Sequence, residues 1–184
     1  MPLLACVLWL FLGSYHFIHL NLSSFSDEVS KYLEVGDIVL RHGLDADSFI
    51  IAKFSGEFSH IGIAISKTQI IHSTTNDNPK KKNQVIISSL ENFLKNANKV
   101  AIVRLNATNQ SREKIANYAL DSLGIPFSLS ENGMYCSTFV ESAIKSQINI
   151  EFQRNKLDLP FFSGEFLYPD SIYKKLDKVY FREL

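Results

Sequence analysis

The chain has 184 residues with 19 basic and 19 acidic side chains, a formal charge of zero, so it lacks the strong positive balance by which nucleic-acid binders hold phosphates. Hydrophobic residues make up 46% and charged residues 21%, with 8 glycines and 5 prolines, which excludes disordered, collagen-like and low-complexity chains. Two cysteines, Cys6 and Cys136, are too few for a disulfide framework or a Cys-rich zinc module.

Residues 1–22 form an apolar leader. Met1 to Leu20 holds no Lys, Arg, Asp or Glu, and Leu3 to Leu12 is almost wholly apolar. This stretch reads as a secretory signal peptide or a short membrane anchor, although the basic flank expected of either is missing. Export or membrane association through the N-terminus is the expectation, and residues 23–184 are taken as one domain.

Within that domain, Ser23 to Ser30 reads as a linker or helix start. Val35-Gly-Asp-Ile-Val-Leu-Arg41 is a turn entering a strand. Ala46 to Phe54 has the pattern of a short helix. Ser59-His-Ile-Gly-Ile-Ala-Ile65 is a strand by its β-branched content, and Gln69-Ile-Ile-His-Ser-Thr-Thr75 is its hairpin partner. Asn76 to Asn83 is a loop, and its Lys80-Lys-Lys82 run a solvated surface. Gln84 to Ser88 is a strand, Leu90 to Ala97 a helix capped by Ser89, and Val100 to Leu105 another strand. A helix from Asn109 or Ser111 to about Leu123 has Ile115, Ala119 and Leu123 in register. Gly124 ends it and Pro126 blocks its continuation. Helices are also expected over Tyr135 to Ile148 and, after Pro169, over Asp170 to Leu176. Strands flanked by helices in this order predict an α+β fold with an antiparallel sheet.

The chemistry concentrates in Gly133-Met-Tyr-Cys-Ser-Thr-Phe-Val-Glu-Ser-Ala-Ile144. Cys136 falls where a loop becomes a helix, on the inward face with Phe139, Val140, Ala143 and Ile144. A thiol there feels the positive end of the helix dipole, which predicts a lowered pKa and a reactive thiolate. The free N–H groups of the first turn are available to an oxyanion. The competing reading is a buried structural cysteine.

A thiol nucleophile needs a base, and the base an orienting group. His60, Gly62 and Ala64 share one face of their strand, opposite Ile61, Ile63 and Ile65. The small His-Gly-Ala face predicts close approach of the helix bearing Cys136. Hairpin length decides the third group. A three-residue loop over 65–67 sets His72 opposite His60, whereas a loop over 67–69 sets Asn76 there. His72 is the expected orienting residue, with Asn76 as the alternative. No metal-ligand spacing joins His42, His60, His72 and Cys136, and no Gly-rich phosphate loop is present, so neither metal nor cofactor is expected.

Together these pieces resemble the circularly permuted papain-like amidases of the NlpC superfamily, in particular their YiiX/YaeF-like branch. Gly36-Asp-Ile-Val-Leu resembles the opening strand and Ser59-His-Ile-Gly-Ile-Ala-Ile the His strand. Gly124-Ile-Pro-Phe-Ser resembles the G-x-P-Y-D stretch, and Met134-Tyr-Cys-Ser-Thr-Phe-Val the Y-C-S-E-L-V nucleophile segment. His precedes Cys by about 76 residues, the permuted order. The tail Tyr168-Pro-Asp-Ser-Ile-Tyr173 is similar too.

The resemblance implies a papain-like α+β domain over 23–184, with Cys136 as nucleophile, His60 as general base and a third polar group near His72. Tyr135, Ser137 and Asn76 are the oxyanion or substrate-binding candidates, although Tyr135 reads equally well as a packing residue. Phe127, Ser128, His72 and Thr138 depart from the YiiX-like pattern. The implied activity is thiol hydrolysis of amides or esters, with cell-envelope peptides as substrates and a bacterial envelope location. The alternatives are a lipid acyltransferase or thiol lipase at a membrane surface, and a non-catalytic binding module.

Overall fold

The computed structural model describes residues 22–43, 56–75, 82–129, 134–159 and 162–183. The leader, the expected helix over Ala46 to Phe54, and Asn76 lie outside them.

Six antiparallel strands form the central sheet: β1 (Ile38–Gly43), β2 (His60–Ala64), β3 (Gln69–Thr74), β4 (Gln84–Ser89), β5 (Ala97–Arg104) and β8 (Asp177–Glu183), in spatial order β4-β3-β2-β1-β5-β8. A separate hairpin joins β6 (Arg154–Leu159) to β7 (Phe162–Leu167). Helices cover both faces. Helix α1 (22–30) and α2 (Leu90–Leu94) lie on one side. Helices α3 (Asn109–Asp121), α4 (Cys136–Lys145) and α5 (Pro169–Lys175) lie on the other.

The period-2 alternation of the strands produces this sandwich. Ile38, Leu40, Ile61, Ile63, Ile71, Ala101 and Val103 point into the core beneath α3, α4 and α5. Val39, Ala64, Ile70, Val100 and Ile102 point into the core beneath α1 and α2, with Phe25, Val29, Leu90 and Phe93. Both faces are therefore apolar, as expected for a sheet without a solvent side.

The Gly36-Asp-Ile-Val-Leu segment has a local explanation. Asp37 is fully buried. Its Oδ1 accepts from Arg104 Nε at 2.7 Å, and its Oδ2 accepts from Arg104 Nη2 and the Glu34 N–H, both at 2.8 Å. This forked pair ties the turn before β1 to the end of β5, and the carboxylate holds the guanidinium pKa above its ordinary value. Removing one partner of a buried pair leaves the other unpaired. Asp37→Ala is therefore expected to lower stability by about 3 kcal/mol. In urea unfolding this is read as a shifted midpoint with an unchanged slope.

Several expected elements differ in extent or register, among them the helix expected over Tyr135 to Ile148, which spans Cys136–Lys145, and three strands carried no clear sequence signal. The helix from Leu90 ends at Leu94, because β5 already begins at Ala97. The last helix is Pro169–Lys175, with Pro169 in its first turn as expected. The β2–β3 loop spans residues 66–68, one residue along from the expected loop over 65–67. Ile65 N–H donates to Gln69 O at 3.0 Å, and Ile63 pairs with Ile71. Extending that register sets His72 across from Gly62 rather than His60. Strands β6, β7 and β8 were not anticipated. β8 is largely exposed at the sheet edge, so it lacks the alternation of a half-buried strand.

Candidate active site

The expectation that the helix bearing Cys136 packs on the small His-Gly-Ala face is not met. Helix α4 packs on the isoleucine face: Cys136, Phe139, Val140, Ala143 and Ile144 share the core with Ile61, Ile63 and Ile71. The His-Gly-Ala face is covered instead by α2, whose Phe93 ring lies 5.5 Å from the His60 ring and 5.2 Å from the His72 ring. Gly62 makes room for β3, not for the helix. A Cβ at Gly62 would meet Ile70 Cγ2 at 2.6 Å and His72 Cβ at 3.1 Å. Without a side chain between them, the imidazoles of His60 and His72 reach each other diagonally, Nε2 to Nδ1 at 2.8 Å.

Thiol and imidazole thus issue from opposite faces of the sheet, which is interrupted between β2 and β3. The β1–β2 ladder runs as far as Arg41↔His60, and the β3–β4 ladder as far as Thr74↔Gln84. Between them, β2 and β3 pair only at Ile63↔Ile71 and Ala64↔Ile70. Beyond that point the strands part. Ile61 N–H points toward β3, as Ile65 N–H does, and no β3 residue is in register with Ile61. The N–H groups of Ile61, Cys136 and Ser137 lie close enough to the Cys136 sulfur to favour its thiolate. The sulfur therefore sits at the seam between the strands, beside the residue that follows His60.

The approach to α4 is fixed on several sides. Met134 O accepts from Ser73 Oγ at 2.9 Å and from Ser128 N–H at 3.2 Å. Gly124-Ile-Pro-Phe runs along β4: Gly124 N–H donates to Val85 O, Val85 N–H to Ile125 O, and Phe127 N–H to Asn83 O. Thr138 accepts the Tyr135 N–H at 2.9 Å, and its hydroxyl donates to Tyr135 O at 3.1 Å. It thus caps the helix from its third position, as the longer polar residues of a capping box do.

The remaining candidates divide clearly. Ser137 is fully buried, with Oγ 3.9 Å from the sulfur. Tyr135 is buried, and its hydroxyl oxygen accepts the Leu167 N–H at 2.8 Å. That contact gives the ring a packing role between α4 and the end of β7. Ser88 was missed by sequence reasoning. Its Oγ lies 2.9 Å from His72 Nε2 and extends the polar chain to three residues. The available signal was alternation along β4, since Ser88 pairs with Ile70 on the face that carries the histidines.

Electrostatics correct the expectation of a low thiol pKa. Cys136 is only 8% exposed, and burial pushes its thiol up, against the downward pull of the Ser137 hydroxyl and the three N–H groups. Burial likewise pulls His60 well below its ordinary range, assisted by His72 and by Arg41, whose guanidinium stands 5.8 Å over Phe93. His72 is lowered to about 3 by burial and Arg41. Thiol and both imidazoles are therefore neutral at rest, and the sulfur makes no hydrogen bond to His60. For His60 Nδ1 to accept a proton, neutral His60 must carry its hydrogen on Nε2 and donate it to His72 Nδ1. Neutral His72 then carries its hydrogen on Nε2 and donates to Ser88.

Residues 32–163 match the model of a family described as permuted papain-like amidase enzyme, YaeF/YiiX, C92 family. This chain belongs to that family. A crystal structure described as metalloprotein yiiX from Escherichia coli O157:H7 superposes with a TM-score of 0.67 at 16% identity, covering 82% of this chain and 98% of that one. At that identity the likeness is one of fold. No curated protein matches the chain. Among the described residues, no three His, Cys, Asp or Glu side chains converge to hold a metal ion, and the facing nitrogens of His60 and His72 are bonded to each other.

The histidine shifts predict an acid-sensitive fold. As pH falls from about 6.5, the unfolded chain takes up a proton at His72 that the folded chain refuses until about 3. Stability is thus lost with acidification across that window, with a slope approaching about 1.4 kcal/mol per pH unit for each such imidazole. His72→Asn, which still accepts from His60, is expected to flatten the dependence. Urea midpoints at pH 7, 5 and 4 for both proteins check this.

Proposed function

We propose that the chain is a cysteine hydrolase that cleaves amide or ester bonds through a thioacyl intermediate on Cys136. The main support is the Ile61 N–H, a main-chain donor near the Cys136 sulfur from the residue that follows His60. Membership in an amidase family supports the class of reaction.

In this mechanism the Cys136 sulfur attacks the carbonyl carbon as its proton passes to His60 Nδ1. Both groups start neutral, so proton transfer accompanies attack rather than preceding it. The tetrahedral oxyanion forms beside the N–H groups of Cys136 and Ile61, the donors available to it. His60 then protonates the departing amine or alcohol, leaving an acyl thioester. Water adds with His60 again as base, and collapse returns the thiol and frees the acid. His72 and Ser88 hold the His60 ring and its tautomer throughout. No cofactor takes part in these steps.

Peptide amides of a cell envelope are the substrates we favour, in keeping with the apolar segment over residues 1–22. A second reading, acyl transfer involving lipids, draws on one observation. Ile125 and Leu129 are 37% and 50% exposed on the segment that passes from β4 toward the nucleophile. These side chains offer an apolar wall to an acyl chain.

The test is turnover of a p-nitrophenyl ester, a p-nitroanilide, muropeptides and a glycerophospholipid in ¹⁸O water. The proposal expects ¹⁸O in the released acid. It also expects a loss of about 10²- to 10⁴-fold in His60→Ala and no turnover in Cys136→Ala. Acyl products without ¹⁸O would favour transfer to another acceptor. Equal turnover in wild type and Cys136→Ala would overturn the thiol mechanism.

A further inference from the structure

The tail Tyr168-Pro-Asp-Ser-Ile-Tyr173 lies beyond the residues that match the family, and the mechanism above makes no use of it. Its Asp170 is 5% exposed, yet both carboxylate oxygens are engaged with a segment more than a hundred residues earlier. Oδ2 accepts the Glu57 N–H and Oδ1 the Phe58 N–H, each at 2.9 Å. Two consecutive N–H groups aimed at two oxygens suit a carboxylate, because an amide at this position offers one acceptor and would turn a donor toward the other N–H.

The opposite side of this contact is equally constrained. Gly56 has φ +107°, a conformation L side chains rarely adopt, and a Cβ there would lie 2.4 Å from Asp170 Oδ2. The Phe58 ring is fully buried against Tyr173, with centroids 4.8 Å apart. Ser59 follows, its N–H donating to Arg41 O at 3.0 Å and its Oγ accepting the Gly43 N–H at 3.0 Å. The next residue is His60.

This anchoring occurs at an interruption of the sheet. At His60, β2 is paired on one side only, with β1, because its ladder with β3 stops at Ile63. A strand end held on one side has freedom that its neighbours must remove.

We propose that Asp170 is a positioning residue for His60: its carboxylate holds the Gly56–Ser59 approach to β2 in the place of the missing strand contact, and so sets where the imidazole stands relative to His72 and the Cys136 sulfur. The catalytic consequence rests on the hydrolase reading, whereas the geometric one does not.

The experiment approaches the contact from both ends, with Asp170→Asn and Gly56→Ala in the full chain labelled with ¹⁵N-histidine. The first readout is the His60–His72 N–H···N signal by NMR. The second is kcat and KM on an ester substrate. Ile115→Ala, which empties a buried position on α3, is the control for lost stability. The proposal expects both contact variants to shift or lose the imidazole signal and to lower kcat by about 10- to 100-fold with little change in KM. Ile115→Ala should melt earlier with both readouts intact. The proposal is overturned if either folded contact variant keeps the wild-type signal and kcat, or if Ile115→Ala loses them equally. A shifted signal in the contact variants with no activity even in wild type would uphold the positioning role and sink the hydrolase reading. Should Gly56→Ala fail to fold, Asp170→Asn, close in shape and retaining one bond, decides alone.

Discussion

The arrangement depends on a strand pairing that stops short. Two neighbouring strands in the middle of a six-stranded sheet would ordinarily exchange bonds along their length, since a buried N–H without an acceptor is costly. Here β2 and β3 stop after Ile63 and Ile71, and the Ile61 N–H lies near the Cys136 sulfur. The interruption lies between the helix that carries Cys136 on one face and the histidines on the other.

Keeping the seam open requires contacts on every side of it. The Ser73 hydroxyl is committed to Met134 O, so β3 is tied to the nucleophile's own loop. The Gly124-Ile-Pro-Phe segment adds bonds to the outer edge of β4 and delivers Ser128 N–H to the same carbonyl. Asp37 and Arg104 fix the opposite end of β1. The short motifs spaced along the chain are thus parts of one mechanical frame, although each is weak as a sequence signal. The chemistry they surround is poised in the neutral state. Burial raises the thiol and lowers both imidazoles, so the resting centre differs from a preformed thiolate–imidazolium pair. In the proposed mechanism charge develops only as a carbonyl arrives, beside the main-chain donors.

The sequence made the fold class and the placement of Cys136 at a helix start readable because both rest on local signals. Cys136 begins a helix whose buried residues follow the expected spacing, and His60 opens a strand rich in isoleucine. His72 was also reached, but through a hairpin register that the structure replaces. Parity was enough, since every second residue shares a face. The orientation of the sheet was misread because Gly62 suggested helix contact, whereas the space it leaves is filled from β3. Two apolar faces made the histidine side ambiguous, and only the position of α2 resolves it. Asp170 was out of reach for another reason: its partner Phe58 lies 112 residues away in sequence, through a contact that no local pattern encodes.

The central claim is that the seam couples the Cys136 sulfur to the His60 imidazole. Intact-mass kinetics with an activated acyl ester, comparing wild type with His60→Ala at neutral pH, test it most directly. The account predicts a single acyl adduct on Cys136 that forms and then decays in wild type, and forms about 10²-fold or more slowly without the imidazole. Adduct formation at the same rate in both proteins would mean that the sulfur acts alone, and would contradict it.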